Sequence, residues 1–202
     1  MSSYTRQQLE KWLKSIKVEG GVVGDIGGAQ NPIKKRLKSF KSADYFIVDL
    51  ATPHKGERPD AIVDLNLESS VISMGEKFAD KNGNGLHKFD TAFCIEVMEY
   101  IYDPVAALWN INDMMKRGGV LYITFPFIYP VHEPVKSDYL RYTLEGVRKL
   151  LDECEFDIMD VYCRTTEDVS MQSVFASEKM KAAKNYNHEN VAFNIKAKKR
   201  NR

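Results

Sequence analysis

The chain predicts an α/β protein built on a mostly parallel sheet, and three observations carry that expectation. Short, almost wholly apolar runs alternate with helix-patterned segments, and such runs suit strands buried on both faces and joined by crossover helices. Several runs end in a carboxylate or a glycine pair, where strand gives way to loop. The last two runs, 156–162 and 191–197, suit antiparallel pairing at one edge of the sheet.

Each element follows from local pattern. Leu9, Trp12, Leu13 and Ile16 share one helical face behind Thr5, an expected N-cap, and Gly20-Gly21 stops the helix. Val22, Val23 and Ile26 around Asp25 form a first strand that runs into Gly27-Gly28. Asn31-Pro32 then reads as the cap and first residue of a helix. Tyr45 to Val48 gives a second strand ending at Asp49, and Ala61 to Val63 a third ending at Asp64. Phe89 to Ile95 and Val120 to Phe125 are the fourth and fifth, separated by a helix capped by Asp103, opened by Pro104 and closed by Gly118-Gly119. Thr143 caps a further helix with Val147, Leu150, Leu151 and Cys154 on its core face. Segment 68–87 carries a strong turn signal at Asn82-Gly83-Asn84-Gly85 and segment 165–189 is polar and weakly helical; either reads as an insertion over a site.

Composition narrows the function classes. The chain has 202 residues, 44% hydrophobic and 28% charged, which suits one domain: an opening helix over 1–19, a core over 20–163 and a closing segment over 164–202. Lys plus Arg (29) nearly balances Asp plus Glu (28), so the whole chain lacks the basic field of a nucleic-acid binder. Cys94, Cys154 and Cys163 share no C-x-x-C spacing and read as reduced core thiols. The polar start of the chain and the lack of any run of about 18 apolar residues predict a cytoplasmic protein with no membrane partner, as monomer or homodimer.

In open α/β sheets ligands bind beyond the carboxyl ends of the strands, which directs attention to the residues just after each run. After the first strand, Asp25-Ile26-Gly27-Gly28-Ala29 lets backbone approach an anionic group; a plain strand-to-helix turn is the other reading. Asp49, after the second strand, is placed to accept both hydroxyls of a ribose, or to cap a loop. Asp64 is placed to accept from an adenine amino group, or again to cap.

The stretch Phe89-Asp90-Thr91-Ala92-Phe93-Cys94-Ile95-Glu96-Val97-Met98-Glu99-Tyr100 resembles the fourth-strand signature of class I S-adenosylmethionine-dependent methyltransferases. With Val23-Gly24-Asp25-Ile26-Gly27, Val48-Asp49, Val63-Asp64-Leu65 and Lys116-Arg117-Gly118-Gly119-Val120-Leu121, the likeness runs over residues 20 to 160 in the family's order. The segment Phe125 to Pro134, followed by Asp138 to Thr143, resembles a subgroup that often accompanies glycan or other small-molecule biosynthesis. The resemblance implies a three-layer, Rossmann-like, seven-stranded sheet with S-adenosyl-L-methionine as cofactor and S-adenosyl-L-homocysteine as product. It implies that Asp25, Gly27, Gly28 and Ala29 meet the methionine moiety, Asp49 with Leu50 the ribose, and Asp64 with Leu65 the adenine, with Glu96 closing the site. The chain departs from the pattern at Ala29 and Asn31, where the family continues with glycine, and at Tyr100, where it has histidine.

Methyl transfer needs alignment more than activation, and a base only for hydroxyl acceptors. Glu96 is a candidate to orient the acceptor or favour the sulfonium, or it caps the following loop. His132, between Pro130 and Pro134, is the candidate general base, or a solvated loop side chain. Arg141 binds an acidic or sugar acceptor, or pairs with Asp138 to fasten its loop; Tyr100, Tyr129, Tyr139 and Tyr142 wall the pocket or pack in the core. His132, Glu133 and Asp138 match no zinc or iron pattern, so no metal is expected. The expected acceptor is a small hydroxyl- or amine-bearing molecule such as a sugar or glycan precursor. Two alternatives stand beside it: a non-catalytic binding module on the same fold, and a nicotinamide-dependent oxidoreductase or epimerase. The latter lacks G-x-G-x-x-G here, and none of the ten tyrosines has Lys four positions later.

Overall fold

Which apolar runs become strands is decided by how completely they are buried. In the computed structural model, which describes residues 3–41, 44–51, 58–67, 88–131, 133–165 and 190–201, all five residues of Val22–Ile26 are buried. The described strands are β1 (Lys17–Val18), β2 (Val22–Ile26), β3 (Ser39–Phe40), β4 (Asp44–Asp49), β5 (Ala61–Ile62), β6 (Phe89–Cys94), β7 (Met115–Pro126), β8 (Phe156–Thr165) and β9 (Asn190–Lys199). The described helices are α1 (Tyr4–Leu13), α2 (Pro104–Met114) and α3 (Leu144–Glu153).

Seven strands form one sheet in the order β5-β4-β2-β6-β7-β9-β8. The first five are parallel; β9 lies antiparallel between β7 and β8. From β2 the chain first builds outward through β4 and β5, then crosses back to β6 on the other side. That reversal leaves a crevice at the carboxyl ends of β2 and β6, the place where open α/β sheets receive ligands.

Helices cover both faces. On one, Leu9 and Leu13 of α1 are fully buried against Val23 and Phe93, each worth about 2 kcal/mol of burial. On the other, Leu108 and Ile111 of α2 and Val147 and Leu151 of α3 pack with Leu121, Ile123 and Phe125 of β7. The caps expected for α2 and α3 are present: Asp103 accepts from the Ala106 N–H at 3.0 Å, and Thr143 from the Gly146 N–H at 3.1 Å.

Five expectations change. Helix α1 ends at Leu13, and Gly20-Gly21 join β1 to β2 instead of stopping the helix. The cap of α1 is Ser3, whose hydroxyl accepts from the Arg6 N–H at 3.3 Å, so Thr5 falls inside the helix. After the glycine loop, Asn31-Pro32 opens only a 3-10 turn, Ile33–Lys35. Lys34, Lys35, Arg36 and Lys38 would crowd like charges on a helix, and the chain is instead drawn into β3, paired with β1 through Lys17↔Ser39 and Val18↔Phe40. The third strand is Ala61–Ile62, one residue shorter than expected. Finally, α2 ends at Met114 and Gly118-Gly119 lie within β7, at an irregularity where the register jumps from Phe89↔Met115 to Thr91↔Val120. Gly118 has φ +72, and a Cβ on Gly119 would sit 2.9 Å from the Lys116 carbonyl, so the pair makes a β-bulge rather than a helix stop.

Candidate functional site

Parallel pairing brings the ends of four strands to one edge. Ile26 pairs with both Val48 and Cys94, and Asp49 pairs with Ile62, so Gly27, Leu50, Asp64 and Glu96 all emerge on the same side of the sheet. Gly27 turns with φ +75, and its N–H donates to the Val48 carbonyl at 2.8 Å. A Cβ on Gly27 would stand 2.4 Å from Val97 Cγ2, and one on Gly28 would stand 2.2 Å from the Asp25 carboxyl carbon. Both glycines are therefore required by the loop's own packing against Val97 and Asp25.

Asp25 supports the loop from beneath. It is 3% exposed, and Oδ2 accepts from the Ile33 N–H at 2.7 Å and from the Tyr45 hydroxyl. Burial outweighs these bonds and pushes the carboxyl up to about 6. The same carboxylate that holds the 3-10 turn in place thus faces inward, not toward the crevice.

Asp49 joins the loops after β2 and β4. Oδ2 accepts from the Ala29 N–H at 3.0 Å and Oδ1 from the Leu50 N–H at 2.8 Å, while Leu50 is 49% exposed. Each carboxylate oxygen keeps a second lone pair. Asp64 accepts from the Asn66 N–H at 3.0 Å, and Leu65 is buried. Two residues that sequence reading missed fix this loop. Asn66 Oδ1 accepts from the Tyr102 N–H at 2.9 Å, and the buried Asn110 amide donates to the Leu65 and Leu67 carbonyls at 2.9 and 3.1 Å. A buried asparagine on a helix gives no sequence signal beyond a break in apolar spacing.

Glu96 follows β6 in the left-handed region, φ 57, with its N–H donating to Thr124 Oγ1 at 2.7 Å. Arg164, 1% exposed at the end of β8, donates from Nη2 to Glu96 Oε1 at 2.7 Å. Burial drives this carboxyl upward, but the charge and hydrogen bond of Arg164 prevail and hold it below the usual carboxylate range. On the next turn, burial and the Glu96 charge push Glu99 up to about 7. Arg164, Thr124 and Glu99 were all missed by sequence reading, because a polar residue inside or just beyond a strand is unremarkable until its partner is known.

The acceptor candidates separate. Arg141 uses all five of its N–H donors within its own loop: Nε to the Tyr129 carbonyl, Nη1 to Asp138 and the Leu140 carbonyl, Nη2 to Asp138 and the Pro130 carbonyl. That arrangement fastens the loop and leaves no donor for an acceptor molecule. Tyr142 is a core residue, its hydroxyl donating to the Met98 carbonyl at 2.8 Å. Tyr100, in the turn after β6, donates to the Glu133 carbonyl at 3.0 Å, and Tyr129, in the loop after β7, is half-buried near it. Tyr139 is 49% exposed, with its ring edge-to-face on Tyr102 at 5.8 Å. His132 lies outside the described residues. Among the described residues no group of His, Cys, Asp or Glu is arranged to hold a metal ion, and no helix is long and apolar enough to cross a membrane. A concavity of about 660 Å³ lies at the opposite edge of the sheet, where Arg200 bonds Asp152 and Asp157 and Lys199 donates to the Asn112 and Met115 carbonyls.

Two outcomes follow from these contacts. A folded Asp25 that keeps its proton to about pH 6, against 3.8 when unfolded, binds more protons folded than unfolded across that window, so its contribution to stability falls as pH rises through it. Asp25→Asn keeps an acceptor for Ile33 and Tyr45 and cannot ionise. The unfolding free energy of the wild type relative to this variant should drop by about 2–3 kcal/mol between pH 4 and pH 7 in urea titrations, and a pH-independent difference would refute the assignment. Arg141→Lys, with three donors in place of five and no planar fork, should lower stability by about 1–3 kcal/mol. A variant as stable as wild type but with weakened acceptor binding would instead make Arg141 a ligand.

No protein-family model matches the chain, and no curated protein sequence matches it. Solved structures do. An S-adenosylmethionine-dependent methyltransferase from Mesorhizobium loti superposes with TM-score 0.54 at 14% identity, covering 96% of this chain and 98% of its own. One from Clostridium acetobutylicum gives 0.51 at 14%, covering 98% and 91%. The [4+2]-cyclase SpnF gives 0.56 at 15%, covering 98% and 83%. At these identities the likeness is one of architecture: the chain has the Rossmann-like, seven-stranded methyltransferase fold, mostly parallel with an antiparallel strand near one edge.

Proposed function

We propose that the chain binds S-adenosyl-L-methionine and directs its methyl group to a small hydroxyl- or amine-bearing acceptor, a sugar or glycan precursor among the candidates. The observation that carries this reading is the convergence of Gly27, Asp49, Asp64 and Glu96 on one edge of the sheet at its topological switch point. Because a [4+2]-cyclase has the same architecture, fold alone does not choose the reaction.

The residues present fit the cofactor in kind. Three carboxylates stand around a loop whose two glycines let backbone lie open, which suits a ligand carrying hydroxyls, an amine and a positive sulfur. When bound, this cofactor supplies a methyl group on an already activated sulfonium. Backbone at Gly27, Gly28 and Ala29 would meet the methionine moiety, with Asp25 holding that loop in shape. The free lone pairs of Asp49 would accept from the ribose hydroxyls beside Leu50. Asp64 and Leu65 would receive the adenine, in a loop held rigid by Asn66 and Asn110. Glu96 would present negative charge to the sulfonium. His132 remains the candidate to take a proton from a hydroxyl acceptor, with Tyr100, Tyr129 and Tyr139 as candidate walls.

Calorimetry with S-adenosylmethionine tests the reading directly: no binding would remove it, and binding without turnover across a broad acceptor panel would favour a non-catalytic module. Asp49→Ala should weaken cofactor binding by about 1.5–3 kcal/mol, since two charge-assisted hydrogen bonds are lost; an unchanged dissociation constant would take Asp49 out of the ribose role. His132→Ala should lower turnover about 100-fold with cofactor affinity intact. Full activity in that variant would end its candidacy.

A further inference from the structure

Among the described residues, the carboxylate of Glu96 is gripped at one oxygen. Arg164 Nη2 and Thr124 Oγ1 both approach Oε1, at 2.7 and 3.2 Å. The Glu96 side chain is 19% exposed and the Arg164 side chain 2%. The cation is therefore sealed within the sheet while the anion stands at the mouth, one residue from Val97, which abuts Gly27.

The grip is built from several elements. Glu96 takes a left-handed backbone conformation that a side chain disfavours, and its N–H is anchored on Thr124 of β7. Arg164 is held in register opposite Ala192 of β9. The next residue is latched to α1 in both directions: Gln8 Nε2 donates to the Thr165 carbonyl at 2.8 Å, and the Thr165 N–H donates to Gln8 Oε1 at 3.1 Å. Stability does not account for the arginine. A buried ion pair seldom outperforms apolar packing, and the Arg164 Nε is buried with no hydrogen-bond partner among the described residues.

We propose that Arg164 is a positioning residue: its guanidinium clamps Oε1 of Glu96 so that Oε2 is presented as a fixed anion beside the glycine loop, selecting a sulfonium over the neutral thioether left after methyl transfer. The proposal rests on the S-adenosylmethionine reading of the site and assigns it a charge-selecting device. The charged and titratable groups around Glu96 are Arg6 from α1, Glu99 and Tyr100 from the turn after β6, Tyr129 from the loop after β7, and Arg164 from β8. Burial opposes a charge on Glu96, whereas Arg164, Arg6 and the Thr124 hydroxyl favour it. Removing Arg164 takes away the largest of the favouring partners, so the Glu96 carboxyl moves upward.

The test measures dissociation constants of S-adenosylmethionine and S-adenosylhomocysteine by calorimetry on the full chain between pH 6 and pH 8. Each variant is compared with the wild type at the same pH, because Glu99, pushed up to about 7, titrates inside this range while Glu96 stays charged in the wild type. For Arg164→Met the preference for the sulfonium should fall about tenfold below that of the wild type at pH 6, with S-adenosylhomocysteine bound as by the wild type. Arg164→Lys keeps the charge and should keep the wild-type profile. An Arg164→Met ratio equal to wild type at every pH overturns the proposal. A wild type that binds neither compound overturns instead the cofactor reading on which it stands. Should Arg164→Met not fold, a carboxyl 13C titration of Glu96 in the unliganded wild type decides: a midpoint below the ordinary value of about 4.3 supports the clamp, and one above it refutes it.

Discussion

A carboxylate taken out of water must meet N–H, O–H or cationic partners, at a cost of several kcal/mol otherwise. That constraint shapes the whole carboxyl edge of this sheet. Asp25 meets it with a backbone N–H and a phenol, Glu96 with a guanidinium and a threonine hydroxyl. The partners come from distant parts of the chain, so each pairing also fixes a loop. Through Asp25 the 3-10 turn after the glycine loop is set against β4. Through Glu96 the end of β8, and with it α1, is drawn to the end of β6.

The pairings differ in what they leave over. Asp25 is covered, and its two contacts fall on one oxygen that faces the protein. Among the described residues Asp49 bonds backbone N–H groups, which orient a carboxylate without neutralising it. Glu96 is neutralised on its inner side and open on its outer one. Of these three carboxylates, Asp49 and Glu96 are partly exposed, whereas Asp25 is buried and holds the loop. This division of labour separates binding from support more finely than residue type does.

The strands and the points where they end were legible because burial on both faces writes itself as apolar runs, and because loops must begin where those runs stop. Gly27, Asp49, Asp64 and Glu96 were found that way. The helix after Asn31-Pro32 was misread because local cap chemistry outvoted a longer-range fact: the following residues carry four positive charges and too little apolar surface to seat a helix. Gly118-Gly119 misled for the opposite reason, since the same pair that closes helices also serves a bulge in a strand. Arg164 and Asn110 were invisible. Their partners lie 68 and 45 residues earlier in the chain, and no spacing rule reaches that far without the sheet register.

The asymmetry between the two sides of the crevice follows from topology. On the β4 and β5 side, the described loop residues are tied by backbone and asparagine bonds. On the β7 side, the loop that joins β7 to α3 is fastened separately, by the Arg141–Asp138 pair. A rigid half can hold a constant ligand, and a separately fastened half can be reshaped without disturbing it. Glu96, at the end of β6, stands between the two halves.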